Sequence, residues 1–185
     1  MHYRRGFTIV ELLIVIVVIA ILAAISIVAY NGIQTRASNT AIINSVSQTI
    51  KVINAYIAQE GMYPAFNTYA CVTTASSCVE PGGTNHGANS TFDANIIKIA
   101  NPPRSIPNNG TAGIGIVYHH SDSRQFNGQS KPGLLMYFLN GQSQNCGASN
   151  VMSAWGTPGQ EASTSTTGYS GNNTSTNKTL CFVSV

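Results

Sequence analysis

Residues 4–15 read Arg4-Arg5-Gly6-Phe7-Thr8-Ile9-Val10-Glu11-Leu12-Leu13-Ile14-Val15, and the apolar run that begins here continues to Tyr30. The polar exceptions within the run are Thr8, Glu11 and Ser26. The 19 residues from Leu12 to Tyr30 carry no charge. At a rise of about 1.5 Å per residue, they span close to the roughly 30 Å hydrocarbon core of a bilayer. The stretch therefore predicts a membrane-spanning helix.

The two arginines before the apolar run predict its orientation. Arg4 and Arg5 lie at its N-terminal end, and basic residues next to a span stay on the cytoplasmic side. Everything after Tyr30 is then expected outside the cytoplasm. A secretory signal peptide is the alternative, but its apolar region is usually about 7–15 residues long and precedes an A-x-A-like site. The run here is longer, and residues 24–26 are a poor substitute for that site.

Glu11 is the one acidic residue of the apolar run. A carboxylate deep in a membrane segment costs roughly 3 kcal/mol or more, and such residues usually have a partner. The run contains no cation, but cleavage before Phe7 would create an α-amino group four residues away. That amine lies about 6 Å along the axis within one chain, and the amine of a neighbouring copy could serve as well. Pairing between copies would set their axial register.

Residues 4–15 resemble the prepilin leader and N-terminal helix of bacterial type IV pilins, and also those of type II secretion pseudopilins and competence pilins. The likeness is close as far as about Tyr30. In these proteins a membrane peptidase cuts after the glycine and N-methylates the new terminal phenylalanine. The resemblance implies that Gly6 is the cleavage residue, that Phe7 is methylated, and that Glu11 neutralises a neighbouring N-terminus during assembly.

From Asn31 the sequence becomes amphipathic. An apolar stripe with helical spacing is formed by Ile42, Val46, Ile50, Ile53 and Ile57. No proline lies between Phe7 and Glu60, which predicts one continuous helix about 80 Å long. Gly61 suits a helix C-cap and Pro64 blocks continuation. Residues 61–64 also resemble the Gly-x-Tyr-Pro sequence that pilins often have at this place.

The remainder of the chain predicts a small sheet with long loops. Residues 65–112 predict a long loop region with one short helix near residues 92–100. Strand signals follow at Ile114–Tyr118, Leu134–Leu139 and Leu180–Val185. Residues 156–178 are mostly small and polar, which predicts a loop. Three or four antiparallel strands could pack on the apolar stripe of the helix.

The predicted fold is therefore α+β and pilin-like, with a long N-terminal helix whose first half spans the membrane and a small antiparallel sheet. The predicted organisation is a leader peptide at residues 1–6, a transmembrane and assembly helix at 7–30, its amphipathic continuation at 31–60, and a globular head at 61–185.

Four cysteines, Cys71, Cys78, Cys146 and Cys181, predict disulfides in a chain placed outside the cytoplasm. Three pairings are possible for four cysteines. The favoured one joins Cys71 to Cys78, which closes a short loop, and Cys146 to Cys181, as in the C-terminal pair of many pilins. The spacings do not resemble those of a zinc site.

No enzyme motif, cofactor or metal site is predicted. The sequence has no Gly-x-Ser-x-Gly elbow, phosphate loop or dinucleotide fingerprint. Calcium needs several hard oxygens in one loop, and no stretch supplies them. His119 and His120 follow a predicted strand; because neighbouring strand residues point to opposite faces, they are expected to be surface residues and not one metal site.

The predicted function is a structural subunit of a type IV pilus-like extracellular filament, assembled through its N-terminal helix. One alternative is a pseudopilin of a secretion or competence machine; another, of a different class, is a membrane-tethered adhesin or DNA-binding module. DNA binding is not supported, since the net charge is only +3. The resemblance implies as partners other copies of the chain, minor pilins, the prepilin peptidase and the membrane platform of the pilus machine. The subunit is expected in the inner membrane before assembly and in the extracellular filament afterwards.

Overall fold

The computed structural model describes residues 6–73, 77–107, 110–153 and 161–185. Residues 1–5 of the predicted leader and residues 156–160 of the predicted loop lie outside the described residues. A single helix, α1, runs over Ile9–Glu60, as the absence of proline predicts. The helix ends where the sequence indicates, because Gly61 adopts a φ of +70° and its amide donates to the carbonyl of Ile57 at 2.9 Å.

The chain divides into two compact units, residues 1–37 and residues 38–185. The first unit, described from Gly6 onward, is the beginning of α1. The second unit contains the rest of α1, a short helix α2 at Ser90–Ile96, and all the strands.

A five-stranded antiparallel sheet forms the centre of the second unit, with the strand order β1-β4-β7-β10-β9. Its strands are β1 (Tyr69–Cys71), β4 (Ile116–His120), β7 (Gly133–Asn140), β9 (Gly171–Asn173) and β10 (Lys178–Ser184). Two smaller sheets accompany it, one of β2 (Cys78–Val79) and β3 (Asn85–His86), the other of β5 (Gln125–Phe126), β6 (Gln129–Ser130) and β8 (Glu161–Ala162). The α+β fold with a long helix packed on an antiparallel sheet is confirmed.

The central sheet is covered on both faces, which explains why β7 reads as a continuous apolar run. One face packs against α1 and α2 and contains alternate strand residues such as Tyr118, Leu135 and Val183. The opposite face packs against Phe126 and Met152 of the covering segments. All eight residues of β7 are buried, because successive side chains enter different cores.

The apolar stripe of α1 enters the first core as its spacing predicts. Ile42, Val46 and Ile53 are buried there, and Ile50 and Ile57 are partly buried against them. Tyr56, which the stripe did not include, is also buried and lies one helical turn from Ile53. The helix is thus held to the sheet by a stripe of about four turns.

Polar side chains near Asn39 hold the beginning of the packed part of α1 against the end of β7. The side-chain amide of Asn39 donates to the carbonyl of Asn140 at 3.0 Å and accepts from the amide of Asn140 at 2.8 Å. The Asn140 side chain donates to Ser38 at 3.0 Å and accepts from the buried ammonium group of Lys178 at 2.5 Å. Burial lowers the pKa of Lys178 below its ordinary value. The end of β7 is therefore tied to α1 and to β10.

Several elements differ from the sequence-based expectations. The region 65–112 contains three short strands, β1 to β3, and its helix α2 occupies Ser90–Ile96, begun by the side chain of Asn89. The region 156–178 contains β9 and part of the small sheet. These strands have two or three residues each, too few for an alternation pattern to be visible.

Gly133 lies at a close approach between β7, the segment after α1 and the C-terminus. A Cβ at this position would lie 2.6 Å from the ring of Tyr63 and 2.8 Å from the side chain of Val185. The Tyr63 hydroxyl donates to the carbonyl of Val185 at 3.3 Å, and the Val185 amide donates to the carbonyl of Gly133 at 3.1 Å. The tyrosine of the 61–64 sequence therefore holds the end of the chain against β7.

Replacing Gly133 by alanine should lower the free energy of unfolding by about 1–3 kcal/mol, because two packed side chains would have to move. Gly82→Ala is the matched control: no atom lies within 4 Å of its added Cβ, and the expected change is within about 0.5 kcal/mol. Chemical unfolding of the full chain in detergent, followed by circular dichroism, measures both. Equal stability of the two variants would contradict the close packing at Gly133.

The cysteines form two disulfides in the structure, Cys71–Cys78 and Cys146–Cys181, separated by 7 and 35 residues along the chain. All four side chains are buried. The first bond joins β1 to β2. The second bond joins the segment after β7 to β10. The C-terminal strand is therefore covalently linked to Cys146, which precedes the small and polar residues 156–178.

Loss of the second disulfide should be the more harmful of the two. In the chain-entropy account, the longer loop stabilises by about 4 kcal/mol and the shorter one by about 2.5 kcal/mol. The double variants Cys146→Ala/Cys181→Ala and Cys71→Ala/Cys78→Ala serve as controls for each other in chemical unfolding. A larger loss from the Cys71/Cys78 pair would show that strain or unfolded-state structure outweighs loop length.

Candidate functional site at the N-terminal end of the helix

The predicted processing residues lie just before α1. Gly6 and Phe7 precede the first helical residue, Ile9, and both are exposed. The aromatic side chain of Phe7 is 89% exposed, so nothing within the described chain shelters it. The peptide bond between Gly6 and Phe7 therefore lies outside regular secondary structure.

Glu11 makes two hydrogen bonds with Thr8 at the first turn of the helix. Its carboxylate oxygen Oε2 accepts from the Thr8 backbone amide at 2.8 Å and from the Thr8 hydroxyl at 2.7 Å. The Glu11 amide in turn donates to the Thr8 hydroxyl oxygen at 3.2 Å. This reciprocal arrangement is a capping box, in which the N-cap threonine and the glutamate three residues later satisfy amides that have no partner in the helix.

Sequence reasoning identified Glu11 but missed Thr8 as its partner. The signal was present, because a threonine followed three residues later by glutamate before an apolar run is the local signature of a capping box. Both side-chain bonds to Glu11 end on Oε2. Among the described residues, no hydrogen-bond donor is assigned to Oε1, so one oxygen of the carboxylate is left for a group from another molecule.

The helix after the capping box is apolar around its whole circumference. It is the one helix of the described residues that is long and apolar enough to cross a membrane by length and composition. The large apolar side chains that the structure describes between Ile9 and Ile33 are exposed, and the described residues of the first unit contain no second element to cover them. Such a surface is stable only in contact with lipid or with other apolar helices.

The histidine pair is buried, contrary to the expectation of surface residues. His120 is 1% exposed and His119 is partly buried. His119 stacks on Tyr69 of β1, whose ring also stacks on His86 of β3, while His120 packs edge-on against Tyr63 and Phe66. The expectation was wrong because these covering aromatics come from segments remote from the pair in sequence.

A buried arginine lies next to the histidines. The Arg124 guanidinium is 1% exposed, and its Nη2 lies 2.6 Å from Nδ1 of His119 while Nη1 donates to the carbonyl of Pro132 at 2.9 Å. Among the described residues, no salt bridge joins Arg124 to a carboxylate. Burial and the neighbouring Arg124 charge lower the pKa of His119 to about 4, and burial lowers the pKa of His120 as well.

Within the described residues, no group of three or more His, Cys, Asp or Glu side chains is placed to hold a metal ion. Several titratable side chains of the head, among them His86, Arg124 and Lys178, take part in hydrogen bonds or ion pairs within it. The geometry that remains open to another molecule is that of residues 6–33: an exposed Phe7, a capped helix start and an apolar cylinder.

Comparison with known proteins gives a family match that includes the start of α1. The family model described as a prokaryotic N-terminal methylation motif matches residues 1–27. The chain is 29% identical over 119 residues to the fimbrial protein EcpC of Eikenella corrodens, which covers 60% of this chain and 78% of that protein. It is 35% identical over 74 residues to the type IV major pilin protein PilE of Neisseria gonorrhoeae, which covers 40% of this chain and 44% of that protein.

A fimbrial protein of Neisseria meningitidis serogroup B is 36% identical over 73 residues, which covers 40% of this chain and 43% of that protein. The chain thus spans less than half the length of the two neisserial relatives. No solved structure matches the chain. The chain carries the methylation motif, and its relatives are type IV pilins and fimbrial proteins.

Proposed function

We propose that the chain is a structural subunit of a type IV pilus-like filament, with no catalysis of its own. The observation that carries the proposal is an apolar helix, exposed from Ile9 to Ile33, that begins inside a methylation motif. A bilayer covers this surface before assembly, and the same helices of neighbouring copies cover it in the filament. The relatives' names, fimbrial protein and type IV major pilin, agree with this role.

The proposed organisation divides the chain into four segments, from the N-terminus to the C-terminus. Residues 1–6 are the leader, residues 7–30 form the transmembrane and assembly helix, residues 31–60 continue it, and residues 61–185 form the head. The N-terminus faces the cytoplasm while the subunit is in the inner membrane, and the head faces outward. The proposed partners are other copies of the chain, minor pilins, the prepilin peptidase and the membrane platform of the pilus machine.

Processing at Gly6 and Phe7 is the first testable step. The mature chain should begin at Phe7 and carry an N-methyl group, because the resemblance to prepilins implies cleavage after Gly6, before the apolar run, which keeps the helix in the product. Intact-mass spectrometry of membrane and filament fractions measures the terminus and the methyl group together. A mature chain that begins near Ile27, as an ordinary signal peptidase would leave it, contradicts the proposal.

We also propose that Glu11 pairs with the terminal amine of Phe7 in a neighbouring copy. Within one chain the carboxylate uses Oε2 for the cap on Thr8. A cation that meets the other oxygen would remove most of the cost of placing the charge among apolar helices. Because every copy has one amine and one Glu11, such pairing fixes the axial offset between neighbours.

Substitutions at Thr8 and Glu11 separate the capping role from the pairing role. Glu11→Val and Glu11→Gln should be cleaved normally but enter filaments at least about tenfold less, the factor that corresponds to roughly 1.4 kcal/mol. Thr8→Val removes the hydroxyl bonds of the cap and should reduce incorporation only mildly, since an exposed cap contributes about 1 kcal/mol. Thr8→Ser, which keeps the hydroxyl, is the control.

The measurement is the amount of cleaved subunit in membranes compared with the amount in sheared filaments. Equal losses from Thr8→Val and Glu11→Val would assign Glu11 to capping alone. Wild-type incorporation of Glu11→Val would end the pairing proposal. Finding the wild-type chain cleaved and abundant in membranes but absent from sheared filaments would favour a pseudopilin of a secretion or competence machine.

A further inference from the structure

The two adjacent histidines of β4 both accept hydrogen bonds at the same ring nitrogen. Nδ1 of His119 lies 2.6 Å from Nη2 of Arg124, and Nδ1 of His120 lies 3.1 Å from the backbone amide of Asn67. A guanidinium nitrogen and a peptide amide can only donate. Each histidine must therefore be neutral, with Nδ1 unprotonated, for its contact to exist.

These two contacts hold two segments that flank the sheet. Arg124 belongs to the hairpin segment, residues 121–132, which contains β5 and β6 and is closed by the bonds Ser121 N–H to Pro132 O and Lys131 N–H to Arg124 O. Asn67 belongs to the strap segment, residues 62–68, which connects α1 to β1. A single dipeptide thus connects both segments to β4.

We propose that His119 and His120 form an acid-operated clasp, in which protonation of the two rings on acidification releases the hairpin segment and the strap segment from the sheet while the rest of the head stays folded. A proton on Nδ1 turns an acceptor into a donor that faces another donor. At His119 it also places a second cation beside a buried guanidinium, whose Nε has no hydrogen-bond partner among the described residues.

The charged and titratable groups around the clasp mostly oppose protonation. His119 faces Arg124 in the hairpin segment, His120 on its own strand and, across the Tyr69 ring, His86 of β3. Nε2 of His86 lies 2.7 Å from Oε1 of Glu80, so the Glu80 carboxylate pairs with His86 and not with the clasp histidines.

Asp122 is the group that favours protonation at His120. Its Oδ1 lies 3.8 Å from Nδ1 of His120, but it is exposed on the hairpin segment, and its other oxygen accepts from the Asn67 side chain at 2.9 Å. Tyr63 and Phe66 cover the His120 ring with aromatic edges and supply no charge near neutral pH. Burial therefore outweighs Asp122, and the pKa of His120 is lowered overall.

The sign of the pH dependence follows from the direction of these shifts. In the released state the histidines titrate near the ordinary value of about 6.5, whereas the pKa of His119 in the closed state is about 4. The released state binds more protons between these values, so the closed state is fully favoured above about pH 7 and loses stability as the pH falls toward 4. His119 alone accounts for up to roughly a 300-fold change in the closed-to-released ratio.

Hydrogen exchange of the full chain in detergent micelles, corrected for the intrinsic pH dependence of exchange, tests the clasp. Between pH 7 and about pH 4.5, the protection of the Asn67 and Asn127 amides, which donate out of their segments to Nδ1 of His120 and to the carbonyl of Ala162, should fall at least about tenfold. Amides of β7 and β10 should keep their protection. In His119→Asn/His120→Asn the fall should be largely absent, because Oδ1 of asparagine occupies the place of Nδ1 and accepts the same bonds without titrating. His86→Gln, which leaves both Nδ1 contacts in place, should still show the fall.

A constant protection of the two segments in the wild type, or an equal fall in the double asparagine variant, would overturn the clasp. Ring-nitrogen NMR of the wild type keeps the test valid if the double variant does not fold. Both Nδ1 atoms should be unprotonated at pH 7, and the His119 ring should titrate well below pH 6. A proton on Nδ1 of His119 at pH 7 would refute the proposal.

Discussion

The packing of the apolar stripe of α1 against one face of the central sheet is the interaction on which the head depends. Ile42, Val46 and Ile53 share one core with buried residues of β4, β7 and β10, and α2 adds Phe92 and Ile96 on the same face. Burying such side chains contributes about 1.5–3 kcal/mol each before entropy is counted. The sheet has short outer strands, and without the helix its inner face would be exposed to water.

Polar contacts then decide where that packing begins. Asn39 pairs with both backbone groups of Asn140 in the manner of a neighbouring strand, so the end of β7 is hydrogen-bonded to a helix side chain. This pair of hydrogen bonds forms at only one position of α1 along the sheet. The isoleucines of the stripe, in contrast, could shift by one helical turn with little loss of apolar contact. A shift of α1 by one turn would therefore take the Asn39 side chain away from the carbonyl and the amide of Asn140.

The features that the sequence predicted are those with a strong local pattern. The continuous α1, its end at Gly61, the stripe at Ile42 and the apolar strand that became β7 could all be read from spacing. The short strands β1 and β9 could not, because β9 is formed by glycine and asparagine and is held by its pairing with β10 and by side-chain bonds such as that between Asn172 and Ser143. The burial of His119 likewise depends on Tyr69 and Arg124, which only the tertiary fold brings to it.

Glu11 and Arg124 show two ways of placing a charge in apolar surroundings. Arg124 finds its partners within its own chain: Nη1 donates to a carbonyl and Nη2 to a ring nitrogen, while Nε has no partner among the described residues. Glu11 is satisfied only in part, by a cap that uses one oxygen. An apolar helix surrounded by similar Ile, Val and Leu side chains has many nearly equivalent ways to pack, because such contacts are not directional. In the proposed filament the choice among them therefore falls to Glu11, because no donor is assigned to its Oε1 among the described residues. A single buried polar residue selects register in coiled coils in the same way.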